Sequence, residues 1–142
     1  VEDGSMDREA GLTESLTDYR ARFEKYTAID PDRVIYFDRF LALVEEHDIE
    51  LVAFVTPMHP LFAERIEAET VAAQRKAEVR EFLRRRFAAH GWPLHEATQP
   101  QDYGGDAGNY YDGVHMHPAE MTRLLQSIFE QRQATGKSND AL

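Results

Sequence analysis

The run Leu51-Val52-Ala53-Phe54-Val55, set within Ile49 to Thr56 and closed by Pro57 and Pro60, constrains this chain more than any other stretch. An unbroken apolar run of that length reads as a strand covered on both faces, the kind found in the middle of a parallel sheet. Neither proline can donate to a ladder and each restricts the residue before it, so the strand stops at Thr56. A loop containing His59 then lies at its C-terminal end. Such a strand needs neighbours, and the sequence supplies one weaker candidate, Pro93 to Thr98. A two-stranded sheet is marginal alone. The sheet is therefore expected to be completed by residues outside this chain or by a second copy, unless the helices close around a small one.

Helical patterns surround the two strands. Leu12, Leu16, Tyr19, Phe23 and Tyr26 recur every three to four residues and make one amphipathic stripe. Asp30-Pro31 supplies an N-cap and a proline at the first helical position of a second helix, with Phe37, Phe40, Leu41 and Val44 on one face and a stop near His47-Asp48. Leu61 to His90 is one long helix or two with a break near Thr70, and Gly91 fits its end. Strand, helix and strand make a βαβ unit, expected to be right-handed. His117-Pro118 opens a last helix carrying Met121, Leu124, Leu125, Ile128 and Phe129. The resulting organisation is a flexible N-terminal segment over 1–11, a single α/β domain over 12–133, and a disordered tail over 134–142.

The balance of 26 acidic against 16 basic residues, net charge −10, argues against a general phosphate-binding surface and so against nucleic acid as a partner. Arg75 to Arg86 holds six basic residues, but Glu78 and Glu81 are interleaved and Glu81 precedes Arg85 by four, as on a solvated helix face. With no cysteine, thiolate chemistry is absent and the redox compartment stays open. No apolar run approaches the roughly 20 residues that span a bilayer. The chain is expected to be soluble as given, and cytoplasmic, exported or periplasmic if part of a longer protein.

Chemistry concentrates between Tyr110 and Glu120, in Tyr-Tyr-Asp-Gly-Val-His-Met-His-Pro-Ala-Glu. In a parallel sheet the binding crevice lies beyond the carboxyl ends of the strands, and both His59 and Asp112 to His115 follow such ends. A carboxylate that fixes a histidine tautomer and stabilises its imidazolium is the base half of a nucleophilic hydrolase. Three other readings stand beside it. Asp112-Gly113 can be a turn with His115 a hydrogen-bonded loop residue; His117 can cap the last helix; and Asp112, His115, His117 and His59 can hold zinc. Tyr103, Tyr110 and Tyr111 can line a carbohydrate or acyl pocket or pack the loop.

Tyr111-Asp112-Gly113-Val114-His115, followed by Pro118 and an amphipathic helix, resembles the last block of the SGNH, or GDSL-like, hydrolases. The order of helix, strand over 49–56, long helix and short strand is similar to the second half of that flavodoxin-like, three-layer fold, especially in members linked to bacterial cell-surface polymers. The resemblance spans about Asp30 to Gln131. It implies an acyl-ester hydrolase or acyltransferase, needing no cofactor and no metal, in which Asp112 and His115 are the acid and base of a Ser-His-Asp triad. His59, Asn109, Tyr110 and Tyr111 are the candidate substrate-binding residues, and the implied substrate is an acylated small molecule or glycan. The family's Gly-Asp-Ser-like turn is not matched: Asp3-Gly4-Ser5 has the wrong order, Ser15 and Ser127 fall in helical patterns, and Ser138 lies in the tail. Asn109 does not match the family's oxyanion-hole Asn by position. The expectation is the C-terminal part of such an enzyme, inactive alone. The alternative is a non-catalytic binding or assembly module on the same fold, and an exposed sheet edge predicts a homodimer.

Overall fold

The computed structural model runs α1 (Gly4–Lys25), α2 (Pro31–Glu46), β1 (Ala53–Val55), α3 (Pro60–Glu69), α4 (Ala72–His90), β2 (Leu94–Glu96), 3-10 turns at Pro100–Tyr103 and Ala107–Asn109, and α5 (Pro118–Asn139). The structure describes residues 4–139. Of the ends expected to lack structure, 1–3 and 140–142 lie outside the described residues. Helices α1 and α5 run through 4–11 and 134–139, where the sequence reading assigns no element.

The chain mixes α and β, with helix dominant and a two-stranded parallel sheet pairing Ala53 with Leu94, Phe54 with His95 and Val55 with Glu96. The strand expected over 49–56 shortens to three residues, half-buried rather than covered on both faces. The C-terminus of α2 consumes the start of that run. Asp48 takes a left-handed φ of 51°, and the Ile49 N–H reaches back to the Val44 carbonyl at 3.0 Å, a helix-terminating bond that turns Ile49 to solvent.

The expected caps are present. Asp30 Oδ1 accepts from Asp32 N at 2.9 Å, which starts α2. Thr70 separates α3 from α4, its hydroxyl accepting from Ala72 N at 3.1 Å. Gly91 ends α4 at φ 68°, a conformation that glycine adopts without the Cβ penalty.

Three apolar contacts assemble these parts. Leu16 of α1 packs on Phe62 and Ile66 of α3, with Leu12, Tyr19, Phe23, Met58 and Val114 around them. Complete burial of Phe62 and Ile66 contributes about 1.5–3 kcal/mol each. Leu124 and Ile128 of α5 cover the sheet through Val52, Phe54 and Ala97. Phe37 of α2 meets Phe82 and Phe87 of α4 at centroid distances of 5.7 and 6.5 Å. Phe40, expected on that buried face, lies instead with Tyr36 and Leu43 on an exposed stripe, because no described element covers that side of α2.

The basic run on α4 is matched by carboxylates. Arg85 pairs with Glu81 at 2.6 Å as the spacing predicts, Arg84 grips Glu96 of β2 at 2.6 and 2.9 Å, and Arg86 reaches Asp38 of α2 at 2.9 Å. Surface pairs of this kind add little to stability, because solvent and salt screen them.

Candidate functional site

The segment from Gly104 to His117 hangs on one buried carboxylate. Glu120, in the first turn of α5, is fully buried; its Oε1 accepts from Asp106 N at 2.9 Å, and its Oε2 accepts from Asn109 Nδ2 at 2.9 Å and Arg123 Nη1 at 3.0 Å. The first turn of a helix favours a carboxylate, and here that charge also gathers the donors of the preceding loop. The two ends of the loop then pair as a short antiparallel ribbon. Tyr110 bridges Met116, Tyr111 N donates to the His115 carbonyl at 2.8 Å, and His117 N donates to the Asn109 carbonyl at 2.8 Å.

At the tip of the ribbon, Asp112 Oδ1 accepts from Val114 N and His115 N, both at 2.8 Å, and Oδ2 lies 2.7 Å from His115 Nδ1. Burial raises the Asp112 pKa, but the His115 ring, the two backbone donors and the His115 charge outweigh it and hold the carboxyl below the usual carboxylate range. A carboxylate only accepts, so in the neutral ring it fixes the proton on Nδ1 and leaves Nε2 with its lone pair. The His115 side chain is 74% exposed against 25% for Asp112. The acid is shielded and its histidine is presented to solvent.

Two helices clamp the turn between them. Ser15 Oγ of α1 accepts from Gly113 N at 3.2 Å, and the Gly113 carbonyl accepts from His59 N at 3.0 Å. A Cβ on Gly113 would sit 2.5 Å from the Phe62 ring, so close approach to the core, rather than the tightness of the turn, requires glycine here. Gly11 of α1 does the same from the other side: a Cβ there would lie 2.9 Å from the Tyr111 carbonyl oxygen and 3.2 Å from Asp112 Cβ. The convergence of His59 and the Asp112 turn at one end of the sheet is thus a direct hydrogen bond.

The four candidate substrate-binding residues separate into different roles. His59 is buried at the start of α3, its Nδ1 accepting from Leu61 N at 3.2 Å and its ring edge-on to Tyr110 at 5.7 Å. Burial, then the Arg8 charge, depresses its pKa, which favours the neutral ring. Tyr110 is buried with its hydroxyl 3.4 Å from that of Tyr103, and Asn109 spends its amide on Glu120. Burial above all, then hydrogen bonds to Tyr110 and Glu120, push the Tyr103 phenol far up, so it stays protonated. His59, Asn109 and Tyr110 therefore build the loop. Tyr111 is exposed beside the pair and stacks on His117 at 3.9 Å. His117 contributes its carbonyl to the first turn of α5, accepting from Glu120 N at 2.9 Å.

Among the described residues no three His, Cys, Asp or Glu side chains come together to hold a metal. Neither Ser15 nor Ser127 is hydrogen-bonded to His115: Ser15 is buried in mid-helix on Gly113, and Ser127 accepts from Gln131. Sequence reasoning did not foresee the contacts of Ser15 and Gly11 with the turn, and took Glu120 only as a first-turn carboxylate of the last helix. Glu120 alone had a local signal, a carboxylate in the first turn after Pro118. The contacts of α1 cross about a hundred residues and leave none. No family model matches the sequence, and neither the curated proteins nor the solved structures include a match.

Proposed function

We propose that Asp112 and His115 form the acid and base of a Ser-His-Asp acyl-ester hydrolase or acyltransferase of SGNH-like, three-layer type. The nucleophilic serine in this reading lies outside the chain. The observation that carries it is the oriented pair: a shielded carboxylate held by two backbone donors, 2.7 Å from the Nδ1 of a solvent-facing imidazole. That arrangement suits proton removal from a hydroxyl brought to Nε2 and return of the proton to a leaving group. Tyr111, exposed beside His115, is the residue best placed to meet an acylated small molecule or glycan.

The assay is hydrolysis of p-nitrophenyl acetate by this chain and by the whole open reading frame that contains it. The chain alone should not exceed background. The longer protein should turn over, and His115→Ala should cost it about 10³-fold or more, the scale of losing a triad member. His115-dependent turnover by the chain alone refutes the missing nucleophile, and a longer protein without His115-dependent turnover refutes the enzyme.

A second reading, a non-catalytic assembly module, is favoured by one observation: Tyr36, Phe40 and Leu43 line an exposed apolar stripe on α2, with Ile49 exposed just beyond its end. Self-association through that face or through the sheet edge would give a dimeric mass by light scattering. A monomeric mass at high concentration counts against it.

A further inference from the structure

A cavity of about 210 Å³ opens beyond the carboxyl ends of both strands, between α1 and α4. Val55 and Thr56 continue from β1 into its wall, Thr98 from the end of β2, Phe23 and Tyr26 from α1, and Val79 and Leu83 from α4. These groups are apolar apart from the two threonines and the Tyr26 hydroxyl, so the interior offers little to a polar solute. The rest of the wall is Met58 and three cations of α4, the adjacent Arg75 and Lys76 and, about one turn further on, Arg80.

The hydrogen bonding of these cations is incomplete. Arg75 Nη1 holds Glu78 at 2.8 Å, but Arg75 Nε is buried with no acceptor among the described residues. Arg80 lies 3.9 Å from Glu96, beyond hydrogen-bond reach, while Arg84 holds both oxygens of that carboxylate. Arg75 Nε is closed off from the cavity as well, so the donor left for a ligand is the guanidinium of Arg80, which lines the cavity without a carboxylate at hydrogen-bond distance among the described residues. Glu67 and Glu78 offset Lys76 and Arg75, while Glu96 is shared between two guanidiniums. The local balance suits one negative charge rather than two.

We propose that this cavity binds a medium-chain monocarboxylate, its apolar tail between Phe23, Val79 and Leu83 and its carboxylate on Arg80. A dry cavity of about 150 Å³ holds benzene, so 210 Å³ accommodates a tail of about eight carbons. The site is distinct from the Asp112 and His115 pair and does not depend on the hydrolase reading.

Isothermal titration of the whole chain with sodium octanoate tests this. Saturable one-to-one binding is expected, with 1-octanol at least about tenfold weaker because it lacks the charge-assisted bonds. Val79→Trp, which fills the cavity, should abolish octanoate binding, and Arg80→Gln should weaken it about tenfold. Circular dichroism of both variants establishes that they fold. The absence of saturable binding to the parent, equal affinity for 1-octanol, tighter binding of octyl phosphate, or undiminished binding by folded Val79→Trp each overturns the proposal.

Discussion

Replacing Glu120 with alanine removes the acceptor on which the Gly104 to His117 loop depends. Two donors lose their partner in a part-buried setting, Asp106 N–H and Asn109 Nδ2, and each stranded donor costs about 1–3 kcal/mol, whereas the Tyr103 hydroxyl, which also bonds Glu120, keeps Tyr110. Arg123, 45% exposed, turns to water and adds little. Water entering the vacated space recovers part of the loss, which brings the expected cost to about 2–4 kcal/mol. That is a large share of the roughly 5–15 kcal/mol that holds a domain of this size together. Glu120→Gln keeps one carbonyl acceptor but sets an amide NH₂ against one of the two donors, so about half the penalty should remain. Urea denaturation gives the free energies, and amide exchange gives the location. Tyr111 N–H and His117 N–H, which close the ribbon, should exchange faster in Glu120→Ala, while amides within α2 should change only with global stability. A loss below about 1 kcal/mol, equal losses for the two variants, or faster exchange spread evenly over α2 and the loop would refute the account.

Gly113→Ala forces a methyl into the Phe62 ring in a closed core and should cost about 1–3 kcal/mol, read as a lowered urea midpoint with unchanged slope; an unaffected midpoint contradicts the contact. His59 has a depressed pKa when folded, so its contribution is complete above the unfolded value near 6.5 and is lost as pH falls below that value through the lower folded one. His59→Asn, which keeps an acceptor for Leu61 N, should melt with a flatter pH dependence between about pH 7 and pH 5 than the parent. Asp112 is also depressed, and its stabilisation is present above the unfolded carboxylate value and lost on acidification below it. Thermal melts of Asp112→Asn should therefore show less destabilisation than the parent on going from about pH 5 to pH 2, and parallel curves would remove the ionic role of Asp112.

Much of the secondary structure was legible because its causes are local. Asp30-Pro31 opens α2, Thr70 breaks α3 from α4, Gly91 ends α4 and Pro118 starts α5, each through bonds to residues a few positions away. The Asp112 and His115 pairing was legible for the same reason, since three residues of separation fall within reach of one turn. The length of β1 was not, because the competing bond from Ile49 to Val44 depends on how α2 unwinds. Nor was the exposure of Phe40, which sits at the margin of a stripe whose width is decided by the helix packed against it.

By itself, then, the sequence determined where most helices start and stop, that two strands are joined by a helical connection, and which acid lies beside which histidine. The tertiary structure alone decided what surrounds that pair. It set Ser15 and Gly11 of α1 against the turn, made Asn109, Tyr110 and His59 into supports, and opened a cavity between α1 and α4. Caps and turns are satisfied within a few residues and are written in adjacent letters. Burial, clamping and cavities depend on surfaces brought together from distant parts of the chain, where no local pattern records the partner.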